Sequence, residues 1–563
     1  MTIFCAGRGK ASEALNNFVR SRFLSLGLGG FFIGLLVGVL VVISTGAYSS
    51  GFSGADESAH FLNSYFISIY LKGHVGVNPL AFATDFYIHY PKISIGHWPP
   101  AYYGIVGLLF LVLPAAVKIA FLINLCFSSL PVAAVAVTLG NVLNRRAALL
   151  GATLYALMPL VTEGQAYFML DQVLAAVCIA ATMAWVAYTL KPAWWRALLF
   201  VGFCVFAVLT KGNGWLLVFV PAYHLLLTHN WRLLALPHIY GAALVAGLIV
   251  LPWYWLTAGI AADGFNYQAG LEYALTAFSA AVGHLVDNMT VLGLLLALSA
   301  VFMEYRQRRH NPTRWSIISA CISLVLATLT LQCLIPVDIV SRYMAPALPA
   351  MVVLAVIGLR HIYTSLMDCR FSGMSVIASL FLVVLMFVPG MKHLATRAAK
   401  PDYQVAKVLP VLATGLPHNL CLIDGLSNAE GAFMVEMALQ DPKLQHYAIR
   451  GSKLFADTNF MGTQYTPRFT DSRSLLAEMK RLGIHNVIIV RAGNEPAYPH
   501  SRQLIEALQL PESSFKRVGV FPHGGRSGTT EVYESSVATQ PDLNAVRQLG
   551  IPAKVSNVIK TQL

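Results

Sequence analysis

Charge is what this sequence is short of. Only 12% of its residues are Asp, Glu, Lys or Arg, about half the share found in soluble domains. With 56% hydrophobic residues and a mean hydropathy of +0.63, the whole chain cannot be one soluble globule; a polytopic membrane protein with a soluble attachment is implied. Cysteine is present but unpatterned. The eight residues, Cys5, Cys126, Cys178, Cys204, Cys321, Cys333, Cys369 and Cys421, form no CxxC and no Cys/His metal spacing. Most lie in apolar runs and read as small hydrophobes. No internal repeat, low-complexity tract, Gly-rich phosphate loop or nucleic-acid signature is visible. The net charge of +13 says less than the side of the membrane on which the charges fall.

Apolar runs long enough to cross a bilayer begin with Leu26–Ala47, behind Arg8, Lys10, Arg20 and Arg22. No small-residue cleavage site follows, so this reads as an uncleaved first span. Further spans are expected near Ile119–Leu139, Ala147–Phe168, Val173–Leu190, Ala197–Leu209, Trp215–Leu227, Leu234–Leu256, Met289–Phe302, Ile317–Ile335, Met344–Ile362 and Met374–Val388. The total is about 11. Tyr102–Leu113 is apolar but short, and fits a segment that does not cross. Positive charge then sorts the connections. Arg145-Arg146, Lys191 to Arg196, Asn230 to Arg232, Arg306 to Arg314 and Arg360 to Arg370 fall on the side of the basic N-terminus, taken as cytoplasmic. The outer connections hold most of the membrane region's carboxylates, and the odd number of spans puts the C-terminal part outside. The expected division is 1–25 as a cytoplasmic segment, 26–390 as the membrane domain with a large first outer loop at 48–100, and 391–563 as an extracytoplasmic domain.

From about Lys400 the composition is that of a soluble domain. Asn419–Ile423, His446–Ile449 and Asn486–Val490 read as buried strands, with helices at Asn428–Leu439, Asp471–Arg481 and Ser501–Leu508. That alternation predicts a small α/β domain with a largely parallel sheet. Gly524–Thr530 is a turn-rich link to a last strand, Thr530–Glu534. No catalytic set stands out there, and a docking or acceptor-presenting module is expected.

On this topology polar groups from distant parts of the chain meet at the outer membrane surface: Asp56-Glu57, the run His97 to Tyr103, Asp171, Lys211 and Arg342-Tyr343. An Asp-Glu pair just past a span is costly unless it faces water or does chemistry; the plain alternative is an acidic helix start. Carboxylates facing a Lys and an Arg at the rim of a bundle suit a phosphate-bearing lipid. The cations would hold the phosphate and a carboxylate would take a proton.

Asp56-Glu57 with Ala59 resembles the "DE…A" opening of the first outer loop in C-superfamily membrane glycosyltransferases, the protein O-mannosyltransferase and aminoarabinose transferase family in particular. His97-Trp98-Pro99-Pro100-Ala101-Tyr102-Tyr103 is similar to that family's "HPPLYY". Leu170-Asp171 resembles its "LD", Leu209-Thr210-Lys211-Gly212 its "LTKG", and Arg342-Tyr343 with Pro346-Ala347-Leu348-Pro349 its "RY…PALP". The match runs in family order over roughly Leu26–Leu359. The resemblance implies a GT-C type membrane fold and transfer, with inversion, of a sugar from a polyprenyl-phosphate donor to a hydroxyl or phosphate acceptor. Where aminoarabinose transferases have a Lys just before the prolines, this chain has His97 and Trp98, so the aminoarabinose substrate is not supported.

With the resemblance in view, Asp56 is the candidate general base, with helix capping as its alternative. Glu57 and Asp171 join it as candidate catalytic carboxylates, Glu57 as a support of the site. Lys211, Arg342 and His97 are candidate donor-phosphate ligands. The alternatives are an interface-anchoring lysine, an Arg342–Asp338 pair and a loop brace. His60, Tyr102 and Tyr343 are candidate substrate contacts; Trp98, Tyr102 and Tyr103 also suit interface aromatics. His284 and Asp287 belong to a long outer loop near the acceptor. No cofactor or metal is expected, since an Asp56/His60 pair alone is weak evidence for a divalent ion. The expected partners are a polyprenyl-phosphate sugar, an unidentified extracytoplasmic acceptor and membrane lipids. A bacterial-type inner membrane is the expected location. Two rivals stand beside the transferase: a transporter or flippase of lipid-linked sugars, against which the missing repeat argues, and a non-catalytic envelope assembly subunit. The topology is tested by fusion: a reporter after Arg309 reads cytoplasmic and one after Lys400 extracytoplasmic. The opposite result after Lys400 overturns it.

Overall fold

A computed structural model describes residues 3–94, 96–368, 372–412, 419–458, 465–493, 496–537 and 540–550. The membrane part is helical, as it must be where no water is present to satisfy an open backbone. Its long helices are α1 (Ile3–Ser44), α5 (Val117–Val142), α8 (Asp171–Leu190), α11 (Pro237–Ala261), α12 (Leu271–Gln307), α13 (Pro312–Leu334), α14 (Leu348–Asp368) and α15 (Ser372–Thr396). These 8 are long and apolar enough to cross a membrane. Helices α6 (Arg145–Ala156) and α7 (Pro159–Ala166) pass together as one span bent by 62°. Pro159 accounts for the break, because Met158 before it is driven to an extended ψ of 144°. Helix α9 (Trp194–Thr210) is short, and the next expected span is a 3-10 turn, Gly212–Val218, followed by α10 (Phe219–Thr228). Every expected span is therefore helical, but fewer than the expected number are long enough to cross alone. Helix α1 also begins well inside the expected cytoplasmic segment.

The bundle is layered by burial. Most of α5 and α8 is enclosed, 61% and 78%, whereas α11 and α15 bury 17% and 11% and form the lipid-facing rim. Small residues set the close approaches. A Cβ on Gly30 or Gly34 of α1 would meet the α5 backbone at 2.9 Å. At the end of the bundle expected to be cytoplasmic, buried Glu304 accepts from Arg314 and from His361 Nε2, the latter at 2.7 Å. His284 and Asp287 are not in a loop. They lie in the first part of α12, before Thr290 breaks the helix with φ 62°.

The first outer loop is itself folded. It contains α2 (Glu57–Gly73) and α3 (Pro79–His89), and it leads into α4 (Ala101–Val112). At 12 residues, α4 is about 18 Å long, too short to cross some 30 Å of hydrocarbon.

The C-terminal domain holds a five-stranded sheet, β1 (Leu420–Asp424), β2 (Tyr447–Arg450), β3 (Asn486–Ala492), β4 (Phe515–Pro522) and β5 (Gly528–Ser535), in the order β2-β1-β3-β5-β4. Pairs β1–β2 and β1–β3 are parallel, while β3–β5 and β4–β5 are antiparallel. The sheet is thus mixed, and the Gly524–Thr530 stretch turns the β4–β5 hairpin. Strand β4, missed in the sequence, carries a bulge between Arg517 and Gly519 that breaks its alternation. Helix α16 (Ser427–Gln440) docks this domain on the first outer loop. Tyr65 Oη donates to Ala438 O (3.3 Å), Asn428 to Ser53 O (2.8 Å) and Tyr90 Oη to Asp441 (2.8 Å). Helices α12 and α14 meet at Gly358, where a Cβ would stand 1.9 Å from Leu296 O. Gly358→Ala forces the pair apart and costs about 1–3 kcal/mol, read as a lower unfolding temperature of the purified protein.

Candidate active site

Five of the residues expected to converge do so. Asp56 sits at the start of α2 in helical conformation and makes no side-chain capping bond. Its carboxylate instead accepts from Arg342 Nη1 at 2.7 Å. Both side chains keep solvent access, 27% and 34% exposed. This answers both plain alternatives: Asp56 is not a cap, and Arg342 does not pair with Asp338, whose oxygen takes the Ile339 N–H at 2.8 Å. Arg342 lies on a short 3-10 turn, Ser341–Met344, between α13 and α14.

The second pair is Asp171 with Lys211. Asp171 opens α8, where the helix dipole favours a negative charge. Lys211 ends α9, and its Nζ reaches Asp171 Oδ1 at 2.6 Å. The same ammonium lies 4.9 Å from the centre of the Tyr343 ring. His60 stands one turn after Asp56 and interacts electrostatically with both pairs. Its Nδ1 bonds Tyr103 Oη at 2.8 Å, and Trp98 packs on its ring at 4.5 Å. Burial pushes His60 down to about 3, so it is neutral at working pH. Burial also raises the Asp56 carboxyl, but the Arg342 guanidinium bonded to it, helped by Lys92, outweighs this and holds it below its ordinary value of 3.8. His97 is half-buried in the loop entering α4, beside Trp98.

Glu57 does not face this site. It is fully buried. Its Oε2 accepts from Ser53 N (2.8 Å) and Gly54 N (2.6 Å), and its Oε1 from Phe168 N (2.8 Å). Lys400 Nζ bonds both oxygens, at 3.0 and 3.1 Å, and also Ala166 O at 3.0 Å. Consecutive residues of a helix point about 100° apart, so Asp56 and Glu57 cannot share a face. Glu57 is thus anchored on Lys400 and three backbone N–H groups, apart from the Asp56–Arg342 pair. Tyr102 also leaves the set. It is 1% exposed and packs on Phe127 and Phe168, in the core rather than at the membrane interface; Tyr103 is equally enclosed. Lys400 and Lys92 went unnoticed in the sequence, where nothing marks a lone lysine as buried. His284 lines a small cleft with Gln332, Asp338 and Met344. Among the described residues no three His, Cys, Asp or Glu side chains converge as a metal site.

The fold is thus a helical bundle with a folded first loop, a docked C-terminal domain and two charged pairs at one rim. The family model described as dolichyl-phosphate-mannose-protein mannosyltransferase matches residues 97–255. ArnT from Cupriavidus metallidurans, solved bound to undecaprenyl phosphate, is 14% identical with a TM-score of 0.52, over 92% of this chain and 98% of that one. The oligosaccharyltransferase of Archaeoglobus fulgidus is 11% identical with a TM-score of 0.51, over 82% of this chain and 69% of that one. No curated protein sequence matches. The chain has the GT-C fold.

The Glu57–Lys400 pair yields a stability prediction. Both side chains are at most 1% exposed, so Lys400→Met leaves an uncompensated buried carboxylate and costs about 3–5 kcal/mol. The Lys400→Met/Glu57→Gln double variant recovers part of the loss in thermal unfolding. Equal loss in both would remove the pair's structural role.

Proposed function

We propose that this protein transfers a sugar from a polyprenyl-phosphate carrier to an extracytoplasmic acceptor, with inversion. The N-terminus is cytoplasmic and the C-terminal domain lies outside an inner membrane of bacterial type. The family model over residues 97–255 and the fold shared with ArnT support this reading. The observation that carries it is the double pairing of Asp56 with Arg342 and Asp171 with Lys211 at one rim.

Each cation in this site is held by a carboxylate. A donor phosphate is a stronger, multidentate partner for the same Lys and Arg. On binding, it draws Arg342 and Lys211 away from Asp56 and Asp171. Asp56 then loses the charge that held its pKa down and regains basicity, as a general base requires. It takes the proton of the acceptor as the acceptor oxygen attacks C1 of the sugar. The C1–O bond to the phosphate breaks, and Arg342 and Lys211 neutralise the charge left on the departing polyprenyl phosphate. Asp171, freed from Lys211, orients the acceptor. Tyr343 lies under Lys211 and fixes its direction. His60, being neutral, serves as a hydrogen-bonding wall and not as a phosphate ligand, and His97 stands at the mouth of the donor site. The sugar is a hexose or pentose, and the acceptor a lipid, glycan or protein.

Asp56→Asn keeps the shape of the side chain and removes the base. Turnover of a polyprenyl-phosphate sugar falls by roughly 10²–10⁴-fold, while donor affinity does not fall, because Arg342 loses its competing carboxylate. Arg342→Gln raises KM for the donor and moves the acid limb of kcat/KM upward, because the Asp56 carboxyl is released toward its ordinary value. Full turnover in Asp56→Asn overturns the assignment.

A further inference from the structure

Cations outnumber carboxylates at the junction of the C-terminal domain and the first outer loop. The junction lies at the carboxyl ends of the parallel strands β1 and β2, the edge at which α/β sheets hold their ligands. Lys92, 8% exposed, donates from Nζ to Ser427 Oγ at 2.8 Å and to Ser427 O at 3.0 Å. Arg450 Nη2 approaches the same hydroxyl at 3.3 Å. Ser427 is the first residue of α16, a 14-residue helix whose N-terminus has no side-chain cap. Arg450 Nε is held by Glu430 at 2.6 Å, and Ser452 takes up the rest of that carboxylate. Among the described residues Lys453 bonds only Thr458 Oγ1, at 3.1 Å. Arg468 and Asp457 pair with each other nearby. Among the described residues the cluster therefore sets Lys92, Arg450 and Lys453 against Glu430, while buried Asp424 at the end of β1, beside Gly451, is paired with His500 Nε2 at 3.0 Å. Asp56 attracts Lys92 but is bonded to Arg342. Buried charge without a bonded counter-ion is expensive, and among the described residues neither lysine is hydrogen-bonded to a carboxylate.

We propose that this junction binds an oxyanion, a phosphate or carboxylate group, between Lys92, Arg450, Lys453 and the N-terminus of α16. Such a ligand supplies the missing negative charge and matches the donor-rich, positive end of a helix. Arg450 presents a planar fork suited to oxyanions, with the half-buried Tyr87 and Tyr498 close enough to interact with it. Titration points the same way. Burial, with repulsion from Arg450, pushes Lys92 down to about 7 and Lys453 down to about 8. Glu430, and Asp56 and Asp457 on one lysine each, oppose the shift. The site is fully charged below these values and weakens as pH rises through them. The anion has two possible sources, a group carried by the acceptor or a free ion.

Sulfate is the probe, because its charge is constant over this range. Equilibrium dialysis uses the full-length detergent-purified protein with Lys211→Ala and Arg342→Ala, which removes the donor-phosphate cations. This background still binds sulfate, more weakly at pH 9 than at pH 6. Adding Lys453→Gln, which disturbs only the bond to Thr458, weakens binding on the order of tenfold, as loss of a charge-assisted contact does; Arg450→Gln does the same. No sulfate binding in the background, or binding unchanged by Lys453→Gln, overturns the proposal. In the otherwise wild-type enzyme acting on an envelope lipid extract, sulfate inhibition competitive with the extract assigns the anion to the acceptor. Non-competitive inhibition assigns it to a free ion; either pattern must be lost in Lys453→Gln. Sulfate binding without sugar transfer by the wild-type protein would instead fault the transferase reading and leave this site standing.

Discussion

The first loop and its junction with the C-terminal domain depend on a charge pair that water cannot reach. Glu57 and Lys400 are both enclosed, and their desolvation is repaid only because nearly every lone pair and proton finds a partner. Those partners belong to separate parts of the chain: the loop at Ser53-Gly54, the backbone at Ala166 and Phe168, and Lys400 at the foot of the C-terminal domain. The Lys400 main chain adds its N–H to Thr45 O at the end of α1, at 2.9 Å. One residue thus joins the first span, the first loop, the break before α8 and the soluble domain. The residue before Glu57 is Asp56. Holding Glu57 from every side fixes the start of α2, and so fixes where Asp56 points. The site needs this support because Asp56 itself is partly exposed and has Arg342 as its only side-chain partner among the described residues.

Much of this was legible in the sequence, for physical reasons. Apolar runs announce helices because lipid leaves the backbone no other option. Motifs scattered over roughly Leu26–Leu359 could be placed on one face because cationic loops sort to the other. The misreadings are just as instructive. Asp56 and Glu57 are adjacent in the sequence, yet helix geometry sends adjacent residues to different faces. Tyr102 and Tyr103 suited an interface in composition, but the bend of the loop turns them into the core. Asp287 was placed in a loop because a charge after an apolar gap looks like a loop; α12 simply starts earlier and breaks at Thr290. Lys400 and Lys92 carried no signal, since what makes them unusual is burial against residues hundreds of positions away.

The charged pairs at the rim and the cluster at the domain junction are one electrostatic system seen from two sides. Asp56 interacts with Arg342 in the first and with Lys92 in the second. On the proposed mechanism a phosphate arriving at Arg342 frees Asp56, while Lys92, which attracts the same carboxylate, stays in place. The junction therefore limits how far the Asp56 pKa can rise. On the proposed mechanism that link gives the docked C-terminal domain a part in the chemistry through charge alone.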